Sequence, residues 1–290
     1  MVIANPIYDV VFKRLMENDK VAKFFISTLL NQSIESVDIK PQEFTYVDEL
    51  AGLAVFRLDF IATIKTETGE LKKVLIEIQK AKNVIDLMRF RNYLAEQYKK
   101  EDIINEEKVI LPITTIYILG FKLPEITTPC LKVERNYTDL INNSTINTKS
   151  EFVEKLTHDF FIVQVNRITD RYQTKLDKLL SIFEQSNFID DKKIIKEFNH
   201  PTDSEEMDEA TKILHYSGTN PAERKKIETE QEAWRTVDAM FEEKEKKLLK
   251  ELAESKKELN ISKKELDDAQ KALDEKNKLI EELMKKLNNQ

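Results

Sequence analysis

The chain has 290 residues, and its 46 Lys and Arg against 53 Asp and Glu give a formal net charge of −7. A hydrophobic fraction of 41% supports a sizeable core, while only 4 Gly and 7 Pro exclude collagen-like and Pro/Gly-rich disordered classes. The single cysteine, Cys130, excludes an internal disulfide and a multi-cysteine zinc site. We therefore expect a cytoplasmic protein with no secretory signal and no transmembrane span. The acidic balance argues against a protein that coats nucleic acid, but it leaves room for a DNA enzyme with a local basic face.

Residues 1–190 alternate between helical and strand patterns. Asn5 and Pro6 predict a helix start, because Asn can cap a helix and Pro fits its first position. After a second helix, VAKFFISTLLNQ, come strand-like runs, a helix near 83–101 and the strongly apolar strand VILPITTIYILGF. A strand, FFIVQV, and a helix, TKLDKLLSIFEQS, follow. This order predicts an α/β domain with a mixed sheet.

Two alternating runs, LAVFRLDFIATIK and KKVLIEIQK, flank a turn that contains Gly69. If residues 67–69 form the loop, Asp59 lies opposite Glu77; a loop defined one residue differently would shift this register. Alternation then places Asp59, Glu77 and Gln79 on one face of the hairpin, away from its core face. Two close carboxylates repel each other unless a proton or cation lies between them, and an oxygen-rich site suits Mg²⁺. From the pattern alone, a half-buried hairpin with a polar outer face is the alternative.

The order helix, strand, Asp-bearing strand, Glu-x-Gln strand, helix, strand resembles that of the PD-(D/E)XK nuclease superfamily. It is more closely similar to the PD-(D/E)XK nuclease family transposases, which are relatives of bacterial recombination-promoting nucleases. The stretches that carry the resemblance are NPIYDVVFKRLM, RLDFIATI with KVLIEIQKAK, and IDLMRFRNYLAEQY. The resemblance covers about residues 5–190. It implies a restriction-endonuclease-like core that hydrolyses DNA with a metal ion and acts in DNA recombination or mobility.

The resemblance also implies roles for individual residues. It makes Asp59 and Glu77 ligands of Mg²⁺ or Mn²⁺, with the Ile78 carbonyl as a further ligand. Gln79 stands where the superfamily pattern has a lysine, so it can orient the attacking water but cannot supply a positive charge. The candidates for contacting DNA phosphates are Arg57, Arg89 and Arg91, and those for supporting the site are Asp9, Lys13 and Tyr93. Ordinary solvated or ion-paired roles are the alternative for these charged side chains.

The C-terminal part of the chain is polar and highly charged. Residues 191–225 contain Gly218 and Pro221 and predict a connector with one short helix. Residues 242–290 hold 13 acidic residues and 13 Lys without Pro, Gly or an aromatic residue, which is typical of a long helix. Leu or Ile recurs every seven residues from Leu252 to Leu287. The other seam position holds Ser255, Ser262, Ala269, Lys276 and Leu283, so the seam is half apolar and half polar. We predict one helix over 226–290 and a coiled coil that mediates self-association; a solitary charged helix is the alternative.

The long C-terminal helix suggests an alternative function. The nuclease-like domain could be a scaffold without activity, in a protein whose coiled coil serves interaction. The acidic net charge and the Gln at the lysine position favour this alternative. Convergence of Asp59, Glu77 and Gln79, or a basic groove near the arginines, would favour the enzyme.

Overall fold

The computed structural model describes residues 1–48, 53–80, 84–169 and 171–287. The chain divides into two compact units, Met1–Glu232 and Ala233–Gln290. The helices are α1 (Asp9–Met16), α2 (Asp19–Leu30), α3 (Val84–Lys99), α4 (Glu151–Leu156), α5 (Lys175–Ser181), α6 (Glu205–Thr219) and α7 (Pro221–Leu287). The strands are β1 (Val2–Ala4), β2 (Ile34–Asp48), β3 (Leu53–Thr66), β4 (Leu71–Gln79), β5 (Asp102–Ile104), β6 (Glu107–Val109), β7 (Ile113–Leu119), β8 (Cys130–Val133), β9 (Tyr137–Asp139), β10 (Ser144–Ile146), β11 (Asp159–Gln164) and β12 (Ile195–Glu197).

The first unit is built on a six-stranded sheet with the order β2-β3-β4-β7-β11-β8. Strands β2, β3 and β4 pair antiparallel, β7 runs parallel to β4, and β11 runs parallel to β7. A parallel pair needs a long crossover, and α3 lies in the connection from β4 to β7. The predicted α/β class with a mixed sheet is therefore confirmed.

The β3–β4 hairpin has the predicted loop. Gly69 has φ +85°, a conformation that glycine adopts at no steric cost. The Gly69 N–H donates to the Thr66 carbonyl at 2.9 Å, which closes a tight turn. The paired residues run from Phe60 with Ile76 to Lys65 with Leu71, as a loop of residues 67–69 requires. Asp59 and Glu77 are the next residues of the two strands, one position beyond the last pair of this ladder.

Both faces of this sheet are buried, against different helices. On one face, residues such as Phe60, Ala62 and Ile76 join apolar side chains of α1, α2, α5 and α6 in what we call the first core. On the other face, a smaller cluster that we call the α3 core consists of Ile61, Leu75, Phe90, Tyr93 and Ile113. Alternation along the hairpin placed Asp59, Glu77 and Gln79 on a face away from its core, with a polar outer face as the alternative. Instead α3 covers this face, because β3, β4 and β7 each place apolar residues on it between the polar ones.

The segment predicted as a connector, 191–225, lies inside the first unit. Strand β12 pairs with β1, and α6 buries Met207, Ala210 and Leu214. Gly218 lies within α6, where an added Cβ would come 2.9 Å from the Ala4 backbone nitrogen. Glycine therefore allows a close approach at this point and does not end the helix. Pro221 begins α7, earlier than the predicted residue 226, because proline fits the first helical position.

In the second unit, the chain continues as α7 without a break to Leu287. The predicted long helix is therefore present. No helix in the described ranges is long and apolar enough to cross a membrane.

Candidate active site

Strand β4 carries two polar side chains on the face of the sheet that α3 covers. Ile76 and Ile78 belong to the first core and Leu75 to the α3 core, so alternation puts Glu77 and Gln79 on the α3 side. Glu77 is 2% exposed and Gln79 9% exposed. Burying a carboxylate is costly unless other groups or a cation compensate for its charge. The two polar residues are thus held in a setting that an ordinary outer hairpin face does not provide.

Strand β7 supplies the next neighbours of Glu77. Tyr117 lies beside Glu77 in the parallel register, and Thr115 lies beside Leu75. The Tyr117 ring meets Phe90 of α3 edge-on, with 4.6 Å between centroids. Burial raises the pKa of the Tyr117 phenol well above its ordinary value, and the negative charge of Glu77 raises this pKa further. Tyr117 therefore stays protonated beside Glu77.

Helix α3 covers this face of the sheet and carries both buried and exposed polar residues. Tyr93 and Gln97, one turn apart, are both buried, and Tyr93 is part of the α3 core. Arg91 is exposed on the same helix. Of the predicted residues on α3, Tyr93 is thus buried in the α3 core, whereas Arg91 is exposed to solvent.

Three predicted site residues have side chains outside the described part of the structure: Arg57, Asp59 and Arg89. The strand that contains Asp59 is described, and its pairing with β4 ends one residue short of Asp59 and Glu77. The Ile78 side chain is buried in the first core, so this residue can offer only its carbonyl to a ligand.

The donor set suits a hard cation. A carboxylate, an amide oxygen and a backbone carbonyl are the oxygen ligands that Mg²⁺ accepts, and Mg²⁺ commonly uses only one or two protein carboxylates. Among the described residues, no group of three or more His, Cys, Asp or Glu could hold a metal ion. A cation at this point would therefore depend on Glu77 together with Asp59.

Lys80, the residue after Gln79, has a different environment. Its ammonium group binds the Glu230 carboxylate and lies 4.4 Å from the centroid of the Tyr8 ring. The same carboxylate accepts hydrogen bonds from the backbone N–H groups of Asp9, at 2.9 Å, and Val10, at 3.1 Å. A negative group at the N-terminus of α1 is stabilising because of the helix dipole. The lysine nearest to the Glu-x-Gln motif therefore joins α1 to the start of α7.

Asp9 and Lys13, the other residues predicted to support the site, both lie in α1. This helix packs into the first core through Val11 and Phe12, on the face of the sheet opposite Glu77. Its N-terminus is linked to the end of β4 through Glu230, which binds Lys80 and accepts hydrogen bonds from the N–H groups of Asp9 and Val10. A support from Asp9 or Lys13 would therefore act at the strand end and not within the α3 core.

Sequence reasoning missed Tyr117, Thr115 and Glu230 as neighbours of the motif. Alternation along ITTIYIL could have indicated the first two, since they share a face of β7 with residues that meet α3. No local signal marks Glu230, which is 150 residues from Lys80 in the chain.

No protein-family model, curated protein or solved structure gives a significant match to this chain. A fold alone does not determine function, so the chemistry of the site is the basis for a proposal.

Proposed function

We propose that the first unit is a Mg²⁺- or Mn²⁺-dependent DNA endonuclease with a restriction-endonuclease-like core, similar to the PD-(D/E)XK transposases. The observation that carries this proposal is the burial of Glu77, 2% exposed, beside Gln79 on a central strand. Carboxylates kept in such places at a desolvation cost are enriched at functional sites. The single cysteine is consistent with action in the cytoplasm.

The order of elements supports the same function. Helix α2 is followed by the antiparallel strands β2, β3 and β4, then by α3, and then, after the short β5–β6 pair, by β7 parallel to β4. This is the order in which the resemblance places a helix, the Asp-bearing strand, the Glu-x-Gln strand and a closing helix and strand. The motif residues lie toward the carboxyl end of β4, where open α/β sheets commonly bind ligands.

In this mechanism, residues of the chain would hold the cation, orient the attacking water and position the DNA. Glu77 and Asp59, with the Ile78 carbonyl, would hold the cation, which activates water and offsets the charge on the scissile phosphate when bound. Gln79 would orient the attacking water through its amide. The exposed Arg91, together with Arg57 and Arg89, would contact flanking phosphates and position the duplex.

Plasmid nicking with Mg²⁺ or Mn²⁺ tests the proposal. Wild type should nick, whereas Asp59→Ala and Glu77→Gln should not, because each lacks a ligand of the cation. Gln has nearly the volume of Glu, so Glu77→Gln should fold. A matched control is Glu96→Gln, which removes an exposed carboxylate from α3. Nicking by Glu77→Gln at the wild-type rate would overturn the metal-ligand assignment.

A second candidate is favoured by α7. Its exposed Leu and Ile residues at seven-residue spacing are typical of a helix that pairs with another, so we propose self-association of the chain through α7. If the pure protein associates but does not nick DNA with either metal, the first unit is a scaffold and the protein serves interaction.

A further inference from the structure

The exposed apolar side chains of α7 recur at coiled-coil spacing. Five residues, each seven positions from the next, are exposed by 50–69%: Leu252, Leu259, Leu266, Leu273 and Ile280. Large apolar side chains that line one stripe of a long helix mark an interaction surface. With these residues at position a, position d is occupied by Leu248, Ser255, Ser262, Ala269 and Lys276. Assigning the leucines to position d instead would put Lys256 and Lys263 at position a, so we adopt the first assignment.

We propose that two copies of this chain pair through α7 as a parallel, in-register coiled coil centred on Leu252–Leu273. This inference rests on the proposed self-association and adds the partner, the orientation and the register. The partner is a second copy, because the acidic residues that flank the apolar stripe of one α7 can face the basic residues that flank the stripe of another.

Charge at the flanking positions selects the parallel orientation. Position g holds Glu251 and Glu258, position e holds Lys256 and Lys263, and all four side chains are exposed. In a parallel in-register pair, a g residue faces the e residue of the partner's following heptad, and such pairs set orientation. Glu251 would then meet Lys256 of the second copy, and Glu258 would meet Lys263. An antiparallel pair would place g against g and e against e, which brings Glu to Glu and Lys to Lys.

The layers of the seam favour the same orientation. In a parallel pair, each a residue faces its own copy, so the leucines form purely apolar layers and Ser255 and Ser262 form hydroxyl layers. An antiparallel pair would mix a with d and place leucines against serine or lysine. The unfavourable layer in the parallel pair is Lys276, whose long stem lets the ammonium group reach water. The hydroxyl layers keep the association weak.

Sedimentation of the full chain with charge-reversed variants tests the orientation. The double variant Glu251→Lys/Glu258→Lys should weaken dimerisation by at least about tenfold, because it sets Lys against Lys in the parallel pair. Adding Lys256→Glu and Lys263→Glu should restore it. The control Glu254→Lys/Asp267→Lys makes the same change in net charge at outer positions and should leave association close to wild type.

Disulfide formation gives an independent measure of register. In a Cys130→Ser background, Ser255→Cys should cross-link two full-length chains under mild oxidation, while the outer control Lys257→Cys should cross-link far less. Unchanged dimerisation of Glu251→Lys/Glu258→Lys, or no preference for Ser255→Cys, would overturn the parallel register. Monomeric wild type at all concentrations would overturn self-association itself. None of these measurements uses DNA cleavage, so they leave the proposed nuclease activity untouched.

Discussion

On one face of the central sheet, Phe60, Ala62 and Ile64 pack against α1 and α2, whereas on the other face Ile61 and Leu75 pack against α3 beside Glu77. The first core is held by aromatic contacts, such as that of Phe12 with Phe60 at 5.2 Å between centroids. The α3 core is smaller and shares its face of β4 with the buried Glu77 and Gln79. The first face is thus suited to stability, and the second also carries groups that could do chemistry.

A second comparison concerns two buried charged residues. Lys196, 1% exposed, lies at the margin of the first core. Its ammonium group donates to the carbonyl of Ser181, at 3.3 Å, and to that of Glu184, near the end of α5. Lys196 therefore satisfies carbonyls that a helix end leaves without partners, which is a structural role. Glu77 lies on the face of β4 that α3 covers, on the same side as the buried Gln79 and beside Tyr117 of β7. Of these two buried charged residues, it is the one that we propose as a metal ligand.

The largest expected effect tests the first core. Phe12→Ala should lower the free energy of unfolding by about 3–5 kcal/mol, because the ring contacts Phe25, Phe60 and Phe183. Urea unfolding followed by circular dichroism measures it. The exposed Phe152→Ala is the control and should change stability by less than about 0.5 kcal/mol. Equal effects of the two substitutions would contradict the assignment of Phe12 to the core.

Lys196 should give stability a distinctive pH dependence. Burial lowers its pKa from 10.5 to about 8 in the folded state. Between these values the unfolded chain binds more protons, so stability should rise with pH across this window, on the order of 2–3 kcal/mol from this group. Below pH 8 its burial cost is fully present. Denaturant unfolding from pH 7.5 to 10.5 should show a shallower rise for Lys196→Met, and identical profiles would refute the role of its amine.

Metal binding tests whether the face of the sheet that α3 covers holds a cation. Mn²⁺ at about 100 times its Kd should stabilise wild type by about 2.7 kcal/mol, which shifts Tm by several degrees. Glu77→Gln should lose this shift while it keeps the metal-free stability of wild type, since it removes a buried charge and little volume. The control Glu96→Gln should keep the shift. Equal Tm shifts for all three proteins would place any bound metal elsewhere.

The smallest effect concerns DNA binding. With three or four phosphate contacts, the slope of log affinity against log salt should be near −3 on duplex DNA, and Arg91→Ala should flatten it by about one unit for all sequences alike. Arg171→Ala removes an exposed arginine that pairs with Asp177, so it should leave the slope unchanged. An unchanged slope in Arg91→Ala would remove Arg91 from the interface.

Local sequence determined the hairpin and its polar face. Gly69 fixed the loop, the loop fixed the register, and strand alternation then grouped Glu77 with Gln79. Heptad spacing likewise predicted the long C-terminal helix. Each of these features depends on residues that are close in the chain, where turn chemistry and side-chain period act directly.

Tertiary structure decided what those local features meet. The face with Glu77 is buried because α3 folds back over it, and Lys80 is engaged because Glu230, 150 residues away, reaches the N-terminus of α1. The segment 191–225 reads as a connector, yet β1 gives β12 a pairing partner and the first core receives α6. Burial and ion pairing depend on partners far along the chain. Local periodicity specifies which side of an element is apolar, and only packing specifies what covers it.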